Sequence, residues 1–161
     1  MIYVNARAII ERYNKNTTEI VVQIRNKPGD SGRLELPGGQ VNEFESLIDA
    51  VKREVYEETG LEVTFVDGEA NMIKTSKKAE AFSMECIRPF AVYQTISGPV
   101  DSMGVYFRCE AKGVLKDVGD CSLNARWISI NELNSLVHEN EQLFSDIDLA
   151  GILFYLQEVS K

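Results

Sequence analysis

The chain has 161 residues, of which 44% are hydrophobic and 26% are charged, and its formal net charge is -8. This composition excludes disordered, collagen-like and coiled-coil proteins, and the length is enough for one compact domain over residues 1–161. The acidic balance argues against polymeric nucleic acid as a partner, because such binding depends on Lys and Arg meeting phosphates.

The order of predicted elements favours an α/β fold. Alternating and apolar runs predict strands, which cover residues 3–12, 19–25, 61–67, 82–93, 103–109 and 126–129. Turn residues separate the runs, notably at 26–32 and 97–99. Helical spacing of apolar residues predicts helices over residues 47–59, 130–137 and 147–159. Strands with a middle helix and terminal helices predict a mixed sheet packed between helices.

The middle helix carries an unusual acidic cluster. Its apolar positions 47, 48, 51 and 55 form one buried stripe, and Gly60 is placed to end the helix in a left-handed cap. Glu54, Glu57 and Glu58 stand three and four residues apart at the C-terminal end. There the carboxylates repel one another and oppose the helix dipole. A cluster that breaks these rules indicates a functional site.

A hard divalent cation would compensate these charges. Mg²⁺ takes oxygen ligands and is usually held by a few carboxylates together with substrate phosphates. The segment contains neither Cys nor His, which argues against zinc and softer metals. The alternative is a solvated acidic helix face, in which case the three glutamates bind nothing.

The stretch from Gly39 to Leu61 resembles the Nudix box, G-x5-E-x7-R-E-U-x-E-E-x-G-U, where U is a bulky aliphatic residue. The specified positions are filled without departure by Gly39, Glu45, Arg53, Glu54, Val55, Glu57, Glu58, Gly60 and Leu61. Nine residue types at fixed offsets make this resemblance specific. The chain is therefore similar to MutT-like Nudix hydrolases, and the resemblance implies their α/β/α sandwich with a mixed sheet between helices.

The resemblance also implies residue roles. Glu54, Glu57, Glu58 and the main-chain carbonyl of Gly38 resemble the family's metal ligands, with Mg²⁺ as the expected ion and Mn²⁺ as a substitute. Glu57 and Glu58, together with Arg53, are the candidate catalytic residues, and one of the two glutamates would orient or deprotonate the attacking water. The pair formed by Glu45 and Arg53 would also support the loop.

Two further groups are candidate substrate contacts. Arg25 ends an apolar strand-like run and, with Gly39, is a candidate for binding phosphate; its alternative is a surface arginine. Glycine at 38 and 39 would allow close backbone approach, although both residues could simply form a turn. Many relatives carry an extra acidic ligand about six residues before a tryptophan such as Trp127; that position is Cys121 here, and the neighbouring Asp120 is the candidate, with a turn aspartate as its alternative.

The resemblance implies hydrolysis of a diphosphate bond in a nucleoside diphosphate linked to another group, with a nucleoside triphosphate or related nucleotide as the expected substrate. ADP-ribose and nucleotide sugars are alternatives. A second alternative is a non-catalytic nucleotide-binding module of the same fold, which would not need all three glutamates. Aromatic residues such as Phe90 and Tyr93 could stack on a base, but aromatics in strands are more often core.

The cysteines bear on the compartment. The chain has three, Cys86, Cys109 and Cys121, at spacings that suit neither a disulfide framework nor a metal site. No apolar run is long enough to span a membrane, and the first residues lack the order of a signal peptide. We therefore expect a cytoplasmic protein with a small nucleotide as its partner and no membrane contact, while a homodimer stays open.

Overall fold

The computed structural model describes residues 1–161 as eleven β-strands and three α-helices. The strands are β1 (Tyr3–Asn14), β2 (Thr17–Lys27), β3 (Asp30–Glu35), β4 (Gly38–Gln40), β5 (Glu62–Val66), β6 (Ile73–Lys77), β7 (Phe82–Cys86), β8 (Ala91–Gln94), β9 (Ser102–Lys112), β10 (Val118–Gly119) and β11 (Ser122–Ser129). The helices are α1 (Leu47–Thr59), α2 (Ile130–Glu139) and α3 (Asp146–Val159). None of the helices has the length and apolar character needed to cross a membrane.

Nine strands form one mixed sheet in the order β10-β11-β2-β1-β9-β5, with β3 beside β2, β4 beside β1 and β8 beside β9. β1 and β9 run parallel, and the other pairs are antiparallel. β1 changes partner along its length, because residues 5–7 pair with β4 and residues 11–14 pair with β2. The segment that enters β4 therefore lies where β1 and β2 part. β6 and β7 form a separate hairpin.

Each face of the sheet carries its own hydrophobic cluster. Successive side chains of a strand point to opposite faces, so Ala8 and Ile10 of β1 pack with α1, while Ile9 packs with α2 and α3. Val51 and Val55 are the buried stripe of α1, and the second cluster contains residues of both other helices. The sheet thus lies between helices, which confirms the α/β/α sandwich.

The element predictions succeed where the signal is local. The helix predicted over residues 47–59 has those bounds, and Gly60 adopts φ 77° as its left-handed C-cap. The single strand predicted over residues 82–93 is wrong, because β7 and β8 belong to different sheets and Pro89 lies between them. The turn predicted over residues 26–32 is shorter than expected, since β2 continues to Lys27 and β3 begins at Asp30.

Candidate active site

The last two turns of α1 present the three glutamates in different environments. The helix begins at the Ser46 cap, whose side chain accepts the Asp49 N–H, and its apolar stripe packs against the sheet. Glu58 follows Val51 and Val55 by seven and three residues, so it lies on the buried face and is 6% exposed. The side chains of Glu54 and Glu57 are 15% and 42% exposed. One helix end therefore has one buried carboxyl, that of Glu58, and two partly exposed ones, those of Glu54 and Glu57.

Glu58 is held from beneath by the sheet and by the segment that enters β4. Its Oε2 accepts the Gly38 N–H at 2.8 Å and the Gln23 amide N–H at 2.7 Å. Burial raises the pKa of the Glu58 carboxyl to about 8, and these hydrogen bonds only partly oppose that shift. In the metal-free protein this carboxyl therefore holds a proton near neutral pH.

Arg53 binds the two partly exposed glutamates, Glu54 and Glu57, and also Glu45 in the loop before α1. Its guanidinium donates to both oxygens of Glu45, at 2.7 and 2.8 Å. The same group bridges Glu54 Oε1 at 2.7 Å and Glu57 Oε2 at 3.1 Å, and it also donates to the carbonyl of Gln40. The hydrogen bonds that Glu45 accepts from Arg53 and from the Asn42 N–H lower the pKa of its carboxyl to about 2. Arg53 thus joins the loop before α1 to two of the three clustered carboxylates.

The two glycines before and within the site have different reasons to lack a side chain. Gly38 has φ 138°, and a Cβ there would lie 2.5 Å from the Ala6 carbonyl oxygen and from the Arg7 Cα. A Cβ at Gly39 would instead lie 2.6 Å from the carboxyl carbon and one oxygen of Glu54. The backbone at Gly38 fits against β1, whereas Gly39 leaves room for a carboxylate.

The C-terminal end of α1 is covered by the turn between β10 and β11. The Asp120 N–H donates to the Glu57 carbonyl and the Ser122 hydroxyl donates to the Glu58 carbonyl, so both helix-end carbonyls have partners. Gly119 and Ser122 pair across this turn, which consists of Asp120 and Cys121. Asp120 is therefore a turn residue that lies beside the glutamate cluster.

A buried polar network lies beneath the site, and most of its members have no local signal in the sequence. Gln23 donates to Glu35 as well as to Glu58, and its own Oε1 has no partner. Glu35 also accepts from Arg25 at 2.9 Å, and Arg25 donates to Asp30 at 2.5 Å. Arg25 is thus fixed by two carboxylates close to the glutamate cluster.

The same network reaches α3 through Arg7, which lies 3.5 Å from Glu35 and forms a two-point ion pair with Asp148. The sequence carried one signal for it. A charged residue in the middle of a buried strand needs a partner, and Arg7 interrupts the apolar run of β1.

The donor set suits a hard cation, although no three acidic, His or Cys side chains converge in an arrangement that could hold a metal ion as they stand. Glu58 is turned toward Gln23 and Gly38, while Glu54 and Glu57 share Arg53. The candidate ligands are all oxygen atoms, as Mg²⁺ requires. Because Gly39 has no side chain, the Glu54 carboxylate can lie against its backbone. The carbonyl of Gly38 accepts a hydrogen bond from Arg7 at 3.1 Å.

Comparison with solved structures gives the fold. A MutT/nudix family protein from Enterococcus faecalis has a TM-score of 0.59 at 20% identity, with 80% of this chain covering 44% of that chain. A structure of MutT, described for Aliivibrio salmonicida and Vibrio cholerae, has a TM-score of 0.65 at 17% identity. This match covers 98% of the present chain and 99% of the MutT chain. The NUDIX domain of Shewanella oneidensis NrtR, complexed with ADP ribose, has a TM-score of 0.66 at 13% identity. This match covers 100% of the present chain and 90% of the NrtR domain chain.

Comparison of sequences gives the family. No curated protein matches the chain. The family model described as NUDIX domain matches residues 3–147, which include the whole of α1 and the strands that surround it. The chain therefore belongs to the Nudix family, the hydrolases that cleave nucleoside diphosphates linked to another group.

Proposed function

We propose that this chain hydrolyses a phosphoanhydride bond of a nucleotide in a reaction that depends on Mg²⁺, with Mn²⁺ as a substitute. The observation that carries the proposal is the position of Glu54, Glu57 and Glu58, which lie on the last turns of α1 against the Gly38 and Gly39 backbone. A solvated acidic face would not need Glu58 to be 6% exposed and bonded to a glycine amide. Family membership supports a divalent cation in general.

The proposed ligands of this cation are the carboxylates of Glu54, Glu57 and Glu58 and the carbonyl of Gly38. When bound, Mg²⁺ supplies positive charge to the diphosphate oxygens and acts as a Lewis acid. The chain's own task is then to position the water and the phosphorus in line. Because little covalent chemistry is required of side chains, a helix end with three acidic groups is sufficient.

Of the two adjacent glutamates, we assign proton handling to Glu57. Glu57 is the more exposed, so its carboxylate is accessible to a water that approaches from solvent. Glu58 is buried beside Gly38 and serves to fix the backbone that faces the substrate. Arg53 holds Glu54 and Glu57 in place through one guanidinium, and Glu45 fixes that guanidinium from the other side.

The nucleoside part of the substrate would occupy a cavity of about 510 Å³ next to Arg25. The cavity is lined by the loop between β8 and β9, by the first turn of α3 and by three charged residues of β2 and β3, which are Arg25, Asp30 and Arg33. Arg25 suits a phosphate, and Tyr93 also lines this cavity. A nucleoside triphosphate or related nucleotide is the proposed substrate.

A second candidate is ADP-ribose, as a substrate or as a bound ligand that is not hydrolysed. The observation that favours it is the similarity to the NUDIX domain of Shewanella oneidensis NrtR, which was crystallised with ADP ribose. A nucleotide sugar would present the same diphosphate to the glutamates. The intact set of three glutamates favours hydrolysis over binding alone.

The test is a panel of nucleoside triphosphates, ADP-ribose and nucleotide sugars, each assayed for phosphate release with Mg²⁺, with Mn²⁺ and with EDTA. The best substrate is then hydrolysed in ¹⁸O-labelled water, and we expect the label on a phosphate product. Label on a sugar carbon would contradict the proposed reaction. Tight binding of ADP-ribose with no hydrolysis of any compound would favour the binding module.

We also propose a cytoplasmic location. The three cysteines are all free, and Cys86 and Cys121 are exposed, which is compatible with a reducing compartment.

A further inference from the structure

An ion pair between β1 and α3 encloses the segment that leads into the active site. Arg7 and Asp148 are 141 residues apart in sequence, and they are 3% and 0% exposed. The guanidinium binds both carboxylate oxygens, at 2.7 and 2.8 Å. Its remaining N–H groups donate to the carbonyl of Gly38 at 3.1 Å and to the carbonyl of Leu36 at 3.3 Å.

Asp148 binds the same segment from the other side. Its Oδ2 accepts the Leu36 N–H at 3.1 Å and the Ser145 hydroxyl. Its Oδ1 lies 3.2 Å from the Tyr106 hydroxyl, whose single hydrogen is shared with the Ile147 carbonyl at 2.9 Å. Leu36 is therefore held through both its N–H and its carbonyl, and Gly38 is held through its carbonyl. The N–H of Gly38 is the group that donates to Glu58.

Stability alone is a weak reason to bury such a pair. Removing two charges from water costs several kcal/mol per ion, and well-packed apolar residues often serve the fold equally well. The pair instead fixes Leu36, which lies between β3 and β4, and the carbonyl of Gly38, the first residue of β4. The hydrogen bonds of the pair to Leu36 and Gly38 are charge-assisted, and such bonds are stronger than those between neutral groups.

We propose that Arg7 and Asp148 are positioning residues, which orient the Gly38 backbone for the reaction at Glu54, Glu57 and Glu58. This inference rests on the proposed function. Through Ser145 and Tyr106 the pair also joins the first turn of α3, a wall of the cavity next to Arg25, to the same backbone. Loss of the pair should displace the Gly38 carbonyl and N–H without removing any group that binds substrate.

The main test is Arg7→Lys, which keeps the charge but cannot bind Asp148 at two points and also span two carbonyls. The probe is dGTP or ADP-ribose, whichever the wild-type protein hydrolyses faster with Mg²⁺. We expect kcat to fall by roughly 10- to 100-fold while KM changes by less than about threefold, because a misplacement of about 1 Å can reduce rates by that amount. Circular dichroism and a thermal melt establish that the variant is folded under assay conditions.

The chain offers a control with the same pattern of hydrogen bonds, at a more exposed position, in Arg108 and Glu11. This pair also forms two hydrogen bonds, both at 2.9 Å, and a tyrosine hydroxyl, that of Tyr155, also donates to its carboxylate. It has no hydrogen bond to residues 36–38. Arg108→Lys should therefore change kcat by less than about twofold. A kcat for Arg7→Lys that equals the Arg108→Lys value would overturn the proposal.

Two further measurements separate this proposal from the proposed function. Should Arg7→Lys not fold, Tyr106→Phe removes the hydroxyl that lies between Asp148 and the Ile147 carbonyl. A two- to fivefold fall in kcat at unchanged KM supports positioning, while an unchanged kcat contradicts it. Should the wild-type protein hydrolyse nothing, amide hydrogen exchange still decides. The Gly38 amide should exchange at least tenfold faster in the Arg7 or Tyr106 variant than in Arg108→Lys, and equal exchange would overturn the positioning role.

Discussion

The negative charge of the three glutamates is compensated in two ways, one for the partly exposed Glu54 and Glu57 and another for the buried Glu58. Glu54 and Glu57 share the guanidinium of Arg53, which itself is fixed by Glu45. Glu58 has no contact with Arg53, and burial raises the pKa of its carboxyl to about 8. Glu54 and Glu57 are thus compensated by the Arg53 guanidinium, and burial favours the protonated form of Glu58.

This difference corrects one expectation from the sequence. Three carboxylates at the negative end of a helix dipole should repel one another in the metal-free protein. Arg53 and the protonated Glu58 relieve much of that repulsion, and the β10–β11 turn supplies donors to the helix-end carbonyls. The helix end is therefore less strained than the spacing alone indicates.

The largest effect we expect is on turnover. Glu54→Gln, Glu57→Gln and Glu58→Gln each keep the shape but remove a charged oxygen, and each should lower kcat by on the order of 10² or more. Asp49→Asn, an exposed change in the first turn of the same helix, should leave kcat unchanged. Steady-state kinetics on purified proteins would measure this. If all three glutamine variants turned over like Asp49→Asn, the active-site assignment would be wrong.

Alanine substitutions at Gly38 and Gly39 should affect different properties, stability in the first case and kcat in the second. In Gly38→Ala the new Cβ meets backbone atoms of β1 and the φ of 138° is strained, so the free energy of unfolding should fall by roughly 2–3 kcal/mol.

In Gly39→Ala the Cβ meets the flexible end of Glu54, so stability should change little while kcat falls. Denaturant unfolding and kinetics on both variants test this. Equal loss of stability in the two would show that Gly39 also serves the backbone.

Metal binding should appear as stabilisation that depends on the cluster. A ligand that binds only the folded state at a hundredfold excess over Kd adds about 2.7 kcal/mol. For a chain of this size that is a rise in Tm of roughly 5–10 °C. Thermal melts with EDTA and with Mg²⁺ at fixed ionic strength measure it.

The double variant Glu57→Gln/Glu58→Gln should lose most of this rise, whereas Asp49→Asn should keep it. Because Arg53 already compensates Glu57, we expect the double variant to gain little stability in EDTA. An equal response to Mg²⁺ in the double variant and in wild type would place the cation elsewhere.

The sequence predicted the helix of the site well because its signals are local. Periodicity, the Gly60 cap and the box spacing all lie between Gly39 and Leu61. The burial of Glu58 could also have been predicted, since it continues the stripe of Val51 and Val55.

The supporting network could not be predicted in this way. Arg7 and Asp148 are 141 residues apart, and their contact depends on how β1 and α3 meet across the sheet. No local pattern carries that information, and a charged residue in a strand indicates only that some partner exists. The strand predicted over residues 82–93 failed for a different reason, because Pro89 interrupts the run between β7 and β8.

The smallest effect concerns the thiols, which show the same contrast between exposed and buried groups. Burial raises the pKa of Cys109 to about 12, so its thiolate fraction at pH 8 is about 10⁻⁴ and it should not react in the native protein. Cys86 and Cys121 are exposed, and Cys121 lies in the turn that covers the end of α1. A disulfide reagent that releases a coloured thiol should therefore titrate two thiols natively and three in denaturant. Three rapid equivalents without denaturant would mean that β9 opens readily, and that the sheet beneath α1 is less rigid than its packing indicates.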